Sequence, residues 1–451
     1  MTGTLFAFAR KISHVISLAL RKVFVSERFF IQEIQRTPEM ATLHPTRRVQ
    51  ALIPLYSERF SCIGSECEDT CCAGWRVTID KKTFKTYKQL KNPKLSNLLD
   101  SKVKRVRSQA SDANFGRMEL NPQTAECPMI EEHLCSIQKE LGEDKLSNTC
   151  FTFPRVSTEI GGIYQQSLTL SCPEAARLAL QADDSMEFTQ SEITIRPETI
   201  EQHKPTLGLS LDQMNEVRFF CIQLVKGSDL LLWQKLALLG FFCETLTTAL
   251  KSGGHDRVSQ IIEGMRSLIT SGQFTSLFDS MKPEYEIQAV TFALLWKIKN
   301  QGLTSKNQRE VHEAVSKGLG ASSETGQVDE TELIAHYQKG VNLIPKALKD
   351  APYFLENYVL NEMFRENFPF GNVFPYEHYL RLITRFGLAR FMLASQCSDD
   401  ENLPSLNVLT QTVQTFCRRF QHDSQFAINV NNCFSNSGWS DLQKIYRFLK
   451  T

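Results

Sequence analysis

The spacing of hydrophobic residues changes along this chain and divides it into two kinds of sequence. Residues 75–79 alternate between apolar and polar side chains, which predicts a short strand. Residues 155–170 predict a β-hairpin that turns at Gly161 and Gly162, because glycine accepts the positive φ angles of a tight turn. From about residue 210 the spacing is helical, and helical segments are predicted at 217–250, 332–348, 352–366, 376–393, 406–420 and 440–449.

These patterns predict a mainly α protein whose first half is rich in cysteine. We expect residues 1–50 to form a poorly ordered N-terminal extension. Residues 51–180 are predicted to form a cysteine-rich metal-binding domain with a small β-hairpin, and residues 205–451 an all-helical domain. Residues 317–330 are rich in Gly, Ser and Glu, which is typical of a mobile loop.

Polar residues mark the expected beginnings of several helices. Asp80 precedes a helical segment and is predicted to be its N-cap. Two capping boxes are predicted, one from Ser171 and Glu174 and one from Ser210 and Gln213. The first of these would place Cys172 in the first turn of a helix, where the helix dipole lowers a thiol pKa and favours the thiolate that binds metal.

The N-terminal segment does not have the pattern of a membrane-spanning helix. Residues 1–39 mix apolar residues with arginine and lysine, so no uninterrupted apolar run reaches the roughly 18 residues that a span requires. No small-residue cleavage site of a secretory signal follows. We therefore expect no membrane span and a cytoplasmic location, with a basic amphipathic helix on a membrane or partner as the alternative for this segment.

The overall charge argues against recognition of a highly charged partner by the whole surface. The 451 residues include 51 Lys and Arg against 50 Asp and Glu, for a formal net charge of +1. This balance gives no global field that would attract nucleic acid. Residues 81–107 are the exception, because they contain ten basic residues and a single acidic one, Asp100. A solvated face explains this stretch most simply, and a docking surface for an acidic partner is the alternative.

Eight of the 13 cysteines are clustered in segments rich in turn-forming residues, and these segments carry the candidate chemistry. The eight are Cys62, Cys67, Cys71, Cys72, Cys127, Cys135, Cys150 and Cys172. Disulfides are typical of short secreted chains, whereas this chain is long and lacks a convincing export signal, so a metal site is favoured. Cys221 and Cys243 lie in apolar helical runs and are expected to be buried as small hydrophobic residues.

The spacing of the eight cysteines leaves the identity of the metal open. Eight thiolates can hold two tetrahedral Zn²⁺ ions, or one four-cysteine iron–sulfur cluster with thiols left over. The Cys67-x3-Cys71 spacing begins like a radical S-adenosylmethionine motif, but Gly74 stands where that motif requires its third cysteine. No glycine-rich dinucleotide motif follows a predicted strand. We expect the eight sulfurs to converge in space.

The cysteine segments also resemble a known family. The residues that carry the resemblance are Phe60-Ser61-Cys62, Cys67-Glu68-Asp69-Thr70-Cys71-Cys72, Gly74-Trp75, Cys127-Pro128, Leu134-Cys135-Ser136-Ile137, Leu146 to Arg155 and Ser171 to Arg177. In this pattern the chain is similar to the flagellin lysine-N-methylase family, most strongly over residues 56–178, with a weaker segment at 356–370. The resemblance implies methyl transfer from S-adenosylmethionine to lysine amines of flagellin, together with an iron–sulfur cluster. A [4Fe–4S] cluster is expected, with zinc as the alternative.

Glu356 and Tyr358 are the candidate catalytic residues. Direct methyl transfer needs a neutral lysine amine, whereas free lysine has a pKa of about 10.4, so the site must remove a proton and exclude water. Both residues join a polar group to an aromatic-rich segment, although the segment can equally be helix core with a solvated Glu356. A non-catalytic metal-cluster protein that docks a partner through its helical region is the alternative function. The sequence leaves the oligomeric state open.

Overall fold

Strands occur only in the first half of the described chain. The structure is a computed structural model that describes residues 43–227, 229–298, 305–322, 328–371, 373–421 and 423–451. The strands are β1 (Arg47–Pro54), β2 (Thr78–Ile79), β3 (Val103–Arg105), β4 (Gly116–Met118), β5 (Ile130–Glu131), β6 (Leu134–Cys135), β7 (Arg155–Ile160), β8 (Ile163–Leu168), β9 (Phe188–Ile195) and β10 (Glu201–His203). They form a five-stranded sheet in the order β10-β7-β8-β1-β9, a three-stranded sheet β2-β4-β3 and a pair β5-β6.

The predicted hairpin is confirmed, but it belongs to a larger sheet than expected. Strands β7 and β8 pair antiparallel, with Ile160 opposite Ile163 across the turn at Gly161 and Gly162. Strand β8 also pairs in parallel with β1, and β1 pairs antiparallel with β9 along its whole length. The expectation of a small hairpin was therefore too modest. Strand β9 gave no clear signal because its middle, Thr189 to Glu192, is polar.

Helices fill the chain from Leu211 onward. The helices are α1 (Leu55–Arg59), α2 (Lys81–Gln89), α3 (Ser96–Lys102), α4 (Ser136–Leu141), α5 (Asn148–Thr152), α6 (Pro173–Leu180), α7 (Leu211–Lys226), α8 (Leu232–Lys251), α9 (Val258–Ser271), α10 (Thr275–Ser280), α11 (Tyr285–Ile298), α12 (Lys306–Gly318), α13 (Glu330–Ala347), α14 (Phe354–Arg365), α15 (Pro375–Gln396), α16 (Leu406–Phe416), α17 (Ser424–Asn436) and α18 (Leu442–Tyr446). A π-helical turn, Cys417–Gln421, continues α16. The mainly α prediction is confirmed.

Two of the three predicted helix caps are present. The Asp80 carboxylate accepts the Thr83 amide at 2.9 Å, and Ser210 and Gln213 form a reciprocal capping box at the start of α7. The third prediction was wrong, because Cys172 is the N-cap of α6 and no side chain caps that helix. Pro173 at the first helical position starts α6 there, since its fixed φ suits a helix and it has no amide hydrogen to satisfy.

Most of the described chain shares one hydrophobic core, which we call the helical core. It contains buried side chains of α6 together with those of the C-terminal helices, among them Ala176, Phe242, Tyr358, Leu388 and Phe416. Helices α12 and α13 pack so closely on α15 that there is no room for a side chain at the glycines between them. A Cβ at Gly318 would collide with the backbone carbonyl of Ser395, and a Cβ at Gly340 with that of Ala394. The core therefore continues across the interval between the predicted cysteine-rich and helical domains.

A second and smaller core lies beneath the cysteine segments, and we call it the cysteine core. Its buried members are Val77, Ile79, Tyr87, Leu95, Leu99, Val103, Met118, Met129, Ile137 and Leu146, and Cys127, Cys135 and Cys150 pack against it. The strand predicted at residues 75–79 is reduced to β2, whose Ile79 enters this core.

Parts of the predicted organisation fall outside the described residues. The extension predicted at 1–50 lies outside them up to residue 42, while its last residues belong to β1. Residues 323–327 of the predicted loop are likewise outside, and the described flanks place the end of α12 at Gly318 and the start of α13 at Glu330. None of the helices described here is both long enough and apolar enough to cross a membrane.

Candidate metal centre

The first cysteine segment is a loop that is held by hydrogen bonds within itself. The Thr70 amide donates to the Asp69 carboxylate at 2.9 Å, and the Cys72 amide donates to the Thr70 hydroxyl at 3.1 Å. The Trp75 indole N–H donates to the Cys71 carbonyl at 2.6 Å. These short-range contacts turn the chain back on itself, as its turn-forming residues predict.

The second cysteine segment is joined to this loop through the backbone. The Cys127 amide donates to the Cys72 carbonyl at 2.7 Å, and the Gly74 amide donates to the Ala125 carbonyl at 2.9 Å. Pairing of β5 with β6 then places Cys135 opposite Ile130, only three residues beyond Cys127. Segments that are more than fifty residues apart in sequence are therefore in direct contact.

Two short helices contribute the remaining thiols of this site. Cys150 lies in the first turn of α5, where its amide donates to the Ser147 hydroxyl of the N-cap at 3.3 Å. Cys172 is the N-cap of α6, and its side chain is buried. The start of each helix is fixed by its own cap or proline, so the positions of both cysteines follow from local sequence.

Seven of the eight predicted cysteines form one electrostatic group, which we call the thiol cluster. The charge on Cys71 acts on Cys67, Cys72, Cys127, Cys135, Cys150 and Cys172. Cys62 differs, because its side chain is exposed and no contact in the described chain joins its thiol to the others. Cys221 and Cys243 are buried in the helical core, as expected.

Burial opposes ionisation at most positions of the thiol cluster. Burial is the main cause and nearby thiols add to it, so the pKa is raised to about 11 at Cys67 and Cys127 and to about 12 at Cys150 and Cys172, although hydrogen bonds to these sulfurs oppose the shift. The prediction of a lowered pKa at Cys172 was therefore wrong. Hydrogen bonds from the amides at the start of α6 do lower the pKa of Cys172, but burial raises it by more.

Cys71 is the thiol in this cluster that ionises most readily. The Cys71 and Cys72 sulfurs are 3.9 Å apart, and a hydrogen bond from the Cys72 thiol lowers the pKa of Cys71 to about 7. The positive charge of Arg418 contributes to this lower pKa, while burial opposes it. The same hydrogen bond raises the pKa of Cys72, which keeps its proton.

The donor chemistry of the thiol cluster fits a thiophilic metal. Two sulfurs bound to one tetrahedral ion at about 2.3 Å are about 3.8 Å apart, close to the 3.9 Å between the Cys71 and Cys72 sulfurs. Nowhere in the described part of the chain do three or more His, Cys, Asp or Glu side chains already enclose a metal position. The fit therefore rests on the number and kind of donors and on this one pair.

Arg418 links the thiol cluster to the C-terminal helices. It lies in the π-helical turn, and its guanidinium forms a salt bridge with the Asp69 carboxylate and donates to the Ala73 carbonyl at 2.6 Å. The Gln414 amide donates to Asp69 at 3.3 Å and to the Ser171 carbonyl at 2.8 Å. Sequence reasoning missed both Arg418 and Gln414, because neither residue stands out in a helical pattern.

The two predicted catalytic residues lie in α14 and are not brought together. The Glu356 carboxylate forms an ion pair with the Lys235 ammonium of α8 at 2.6 Å, and the Glu356 side chain is 26% exposed. Tyr358 is fully buried, and its hydroxyl has no hydrogen-bond partner in the structure as described. Burial raises the pKa of Tyr358 well above its ordinary value. Residues two apart face different sides of a helix.

A buried charged network lies behind Tyr358 and was also missed. Arg365 and Arg385 form ion pairs with the buried Glu362, and Gln421 of the π-helical turn donates to the same carboxylate. The Gln421 carbonyl in turn accepts from the Thr169 hydroxyl beside β8. The π-helical turn therefore contacts both the thiol-cluster side of the fold and this network.

Comparison with known proteins identifies the family. Residues 218–448 match the family described as the FliB lysine N-methylase C-terminal domain. A lysine-N-methylase of Salmonella typhimurium is 32% identical over 177 residues, which are 39% of this chain and 42% of that protein. The flagellar biosynthetic protein FliU of Salmonella muenchen is 34% identical over 134 residues, which are 30% of this chain and 78% of that protein.

These matches cover different shares of this chain and of its relatives. The match covers less than half of the Salmonella typhimurium lysine-N-methylase, and a second such enzyme, from Salmonella choleraesuis, is covered to the same 42%. No solved structure matches this chain. The family match spans half of the chain, and the FliU match spans more than two thirds of that relative. The chain therefore belongs to the FliB lysine-N-methylase family.

Proposed function

We propose that this chain is a protein-lysine N-methyltransferase that acts on flagellin and takes the methyl group from S-adenosylmethionine. The names of its relatives support this function, since two are lysine-N-methylases and a third is a flagellar biosynthetic protein. The observation that carries the proposal is the family match over residues 218–448, together with the thiol cluster on the N-terminal side. We place the activity in the cytoplasm, where thiols stay reduced.

The proposed cofactor of the thiol cluster is an iron–sulfur cluster of the [4Fe–4S] type, with zinc as the alternative. Its ligands would come from Cys67, Cys71, Cys72, Cys127, Cys135, Cys150 and Cys172, and the exposed Cys62 remains the eighth predicted ligand. When bound, the metal centre would supply positive charge that offsets the thiolates, and it would hold the separate cysteine segments together. Burial raises the pKa of these thiols, so a bound cation would be needed to hold them as thiolates, because a cation favours the ionised form.

The proposed reaction moves a methyl group from the sulfonium sulfur of the donor to the lysine Nε. The carbon–sulfur bond breaks as the carbon–nitrogen bond forms, and the thioether product leaves. The amine must be neutral when it attacks, so its proton passes to a base. Glu356 is the base we propose, because it is the more accessible candidate and Lys235 holds its carboxylate at 2.6 Å. Tyr358 is fully buried and protonated, which suits a hydrogen-bond donor.

The direct test compares flagellin from cells with and without the intact gene. Mass spectrometry of flagellin peptides should show methylated lysines only when the gene is present. Purified chain should also bind S-adenosylmethionine, which equilibrium dialysis measures. A chain that carries metal but binds no S-adenosylmethionine, from cells whose flagellin methylation survives deletion, would be the non-catalytic metal-cluster protein instead.

A further inference from the structure

One buried ion pair connects the thiol cluster to the C-terminal helices across 349 positions of sequence. The Arg418 and Asp69 side chains are 10% and 3% exposed, so this pair is almost completely shielded from water. A buried pair is retained only when its geometry and its further hydrogen bonds offset the loss of hydration. The further hydrogen bonds are present here. Asp69 also accepts from the Thr70 amide and from Gln414, and Arg418 also donates to Ala73.

The contacts of Arg418 bracket two cysteines. Its guanidinium reaches the Asp69 carboxylate on one side of Cys71 and Cys72 and the Ala73 carbonyl on the other. A planar guanidinium has several N–H donors in a fixed arrangement, so it can bridge two acceptors that a lysine ammonium cannot hold in the same geometry. Arg418 therefore fixes the backbone on both sides of the Cys71-Cys72 pair.

The side chain of Gln414 makes a similar contact beside a third cysteine, Cys172. Gln414, one turn earlier in α16, donates to the Ser171 carbonyl at 2.8 Å, and Ser171 directly precedes Cys172. One stretch of helix thus contacts the backbone next to cysteines that are a hundred residues apart. These contacts fix where the first cysteine loop lies relative to the start of α6.

The π-helical turn explains how Arg418 is available for this role. Phe416 and Phe420 stack with ring centroids 5.0 Å apart, and both are buried in the helical core. Cys417 is buried and Gln421 is bonded to Glu362, so the turn is anchored on its inner side. The wider turn of a π-helix alters which residues face outward, and such turns are frequent at functional sites.

We propose that Arg418 is a positioning residue that holds the Asp69–Ala73 loop in the conformation in which Cys71 and Cys72 join the rest of the thiol cluster. Assembly of the metal centre then depends on the folded C-terminal helices, because they present Arg418. The proposal rests on the metal centre of the proposed function. It does not depend on which protein is methylated or on whether methyl transfer occurs.

The test uses full-length chain purified without oxygen, in the variants Arg418→Met, Arg418→Lys, Asp69→Asn and the double variant Asp69→Asn with Arg418→Met. Two quantities are measured for each: iron, zinc and acid-labile sulfide per chain, and hydrogen exchange of the amides of residues 70–74. Arg447→Met is the matched control, because Arg447 pairs with Glu284 and contacts no cysteine segment in the described chain.

Loss of a charged hydrogen-bond partner should speed exchange at residues 70–74 by about 10-fold to 100-fold in Arg418→Met, with a parallel loss of metal. Arg418→Lys should recover part of both, because it keeps the charge but not the bridge. The double variant should be no worse than the more affected single variant, since the two residues act as a unit. The Arg447→Met control should match the unaltered chain in both measurements.

Several results would overturn this role. If Arg418→Met and Asp69→Asn keep their full metal content and unchanged hydrogen exchange, the Asp69–Ala73 loop does not need the Arg418–Asp69 ion pair. Additive losses in the double variant would show that the pair does not act as a unit, and an unaltered chain without metal would remove the centre itself. Asn has nearly the same size and shape as Asp, so Asp69→Asn removes the charge without disturbing the packing, and its effect can be told apart from misfolding. If instead the chain fails to methylate flagellin while these variants behave as expected, the proposed function fails and the positioning role stands.

Discussion

The helical core and the cysteine core are stabilised in different ways. The helical core buries many large aromatic side chains completely, among them Phe242, Phe292, Phe354 and Phe364. The cysteine core has ten buried members, and thiols pack along its edge. Small cores bury too little apolar surface to be stable alone and usually depend on metals or cross-links. The helices should therefore fold without metal, whereas the cysteine segments should depend on it.

The largest expected effect is the loss of structure in the cysteine core when one thiol is removed. Cys72→Ala should lose metal and leave residues 70–150 open to hydrogen exchange, because binding energy at such sites is also folding energy. Amides of α8 and α15 should stay protected. Hydrogen-exchange mass spectrometry measures both regions at once.

Cys433→Ala is the matched control for that experiment. Cys433 lies exposed in α17, outside the thiol cluster. The Cys433→Ala variant should keep the metal content and the hydrogen-exchange protection of the unaltered chain. If Cys72→Ala keeps full protection over residues 70–150, the contrast between the two cores is wrong.

The next effect should be confined to the helical core. Phe242 is 1% exposed, and its ring centroid is 4.7 Å from that of Phe220. Phe242→Ala should lower the free energy of unfolding by about 3–5 kcal/mol through lost burial and the cavity left behind. Chemical denaturation checks this, with Leu231→Ala as a control at a side chain that is 63% exposed. A loss of metal at native conditions in Phe242→Ala would argue that the two cores are not separable.

Acid should weaken the helical core through His378. Burial is the main cause that lowers the pKa of His378 to about 4; Glu366 opposes this shift, and the charges of Arg385 and Arg381 contribute to it. The unfolded chain binds this proton at about pH 6.5, so stability should fall between about pH 6.5 and pH 4, by about 3 kcal/mol. His378→Gln should flatten this dependence when denaturation is followed at each pH. An identical slope in both proteins would assign the effect to other groups.

The smallest expected effect is at a helix cap of the cysteine core. Asp80 accepts the Thr83 amide at 2.9 Å and the Asn148 amide at 3.3 Å. Asp80→Ala should cost about 1–2 kcal/mol, as losses of N-caps do. Asp80→Asn should recover most of it, because an amide oxygen also caps a helix. The cap stabilises the cysteine core alone, so the loss of stability should be larger in metal-free protein than in metal-loaded protein. Hydrogen exchange of the amides of α2 measures it.

Features that depend on neighbouring residues could be predicted from the sequence, and features that depend on distant contacts could not. The caps at Asp80 and Ser210 and the turn at Gly161 are set within a few residues. The pairing of β1 with β9 joins segments about 140 residues apart, and no local pattern encodes it. At α6 the local rule misled, because Pro173 moved the cap from Ser171 to Cys172.

The candidate site divides in the same way. Clustering in turn-rich sequence singled out eight cysteines, and seven of them lie in one electrostatic group, while their role as metal ligands stays a prediction. Arg418 is one of two adjacent arginines in a helical stretch, and its contact with Asp69 joins residues too far apart in sequence for a local pattern to show. Glu356 and Tyr358 were chosen from a shared aromatic segment, and their catalytic roles stay predictions.

The most direct measurement of the central claim uses purified components. Unmethylated flagellin is mixed with S-adenosylmethionine and with chain that has been through the same metal-loading procedure, either unaltered or carrying Cys71→Ala or Cys72→Ala, and its lysine-containing peptides are analysed by mass spectrometry. We expect peptides heavier by whole methyl groups with the unaltered chain, and almost none with either cysteine variant. Unmodified flagellin after incubation with the fully loaded, unaltered chain would contradict the enzyme, and full methylation by the cysteine variants would contradict its dependence on the thiol cluster.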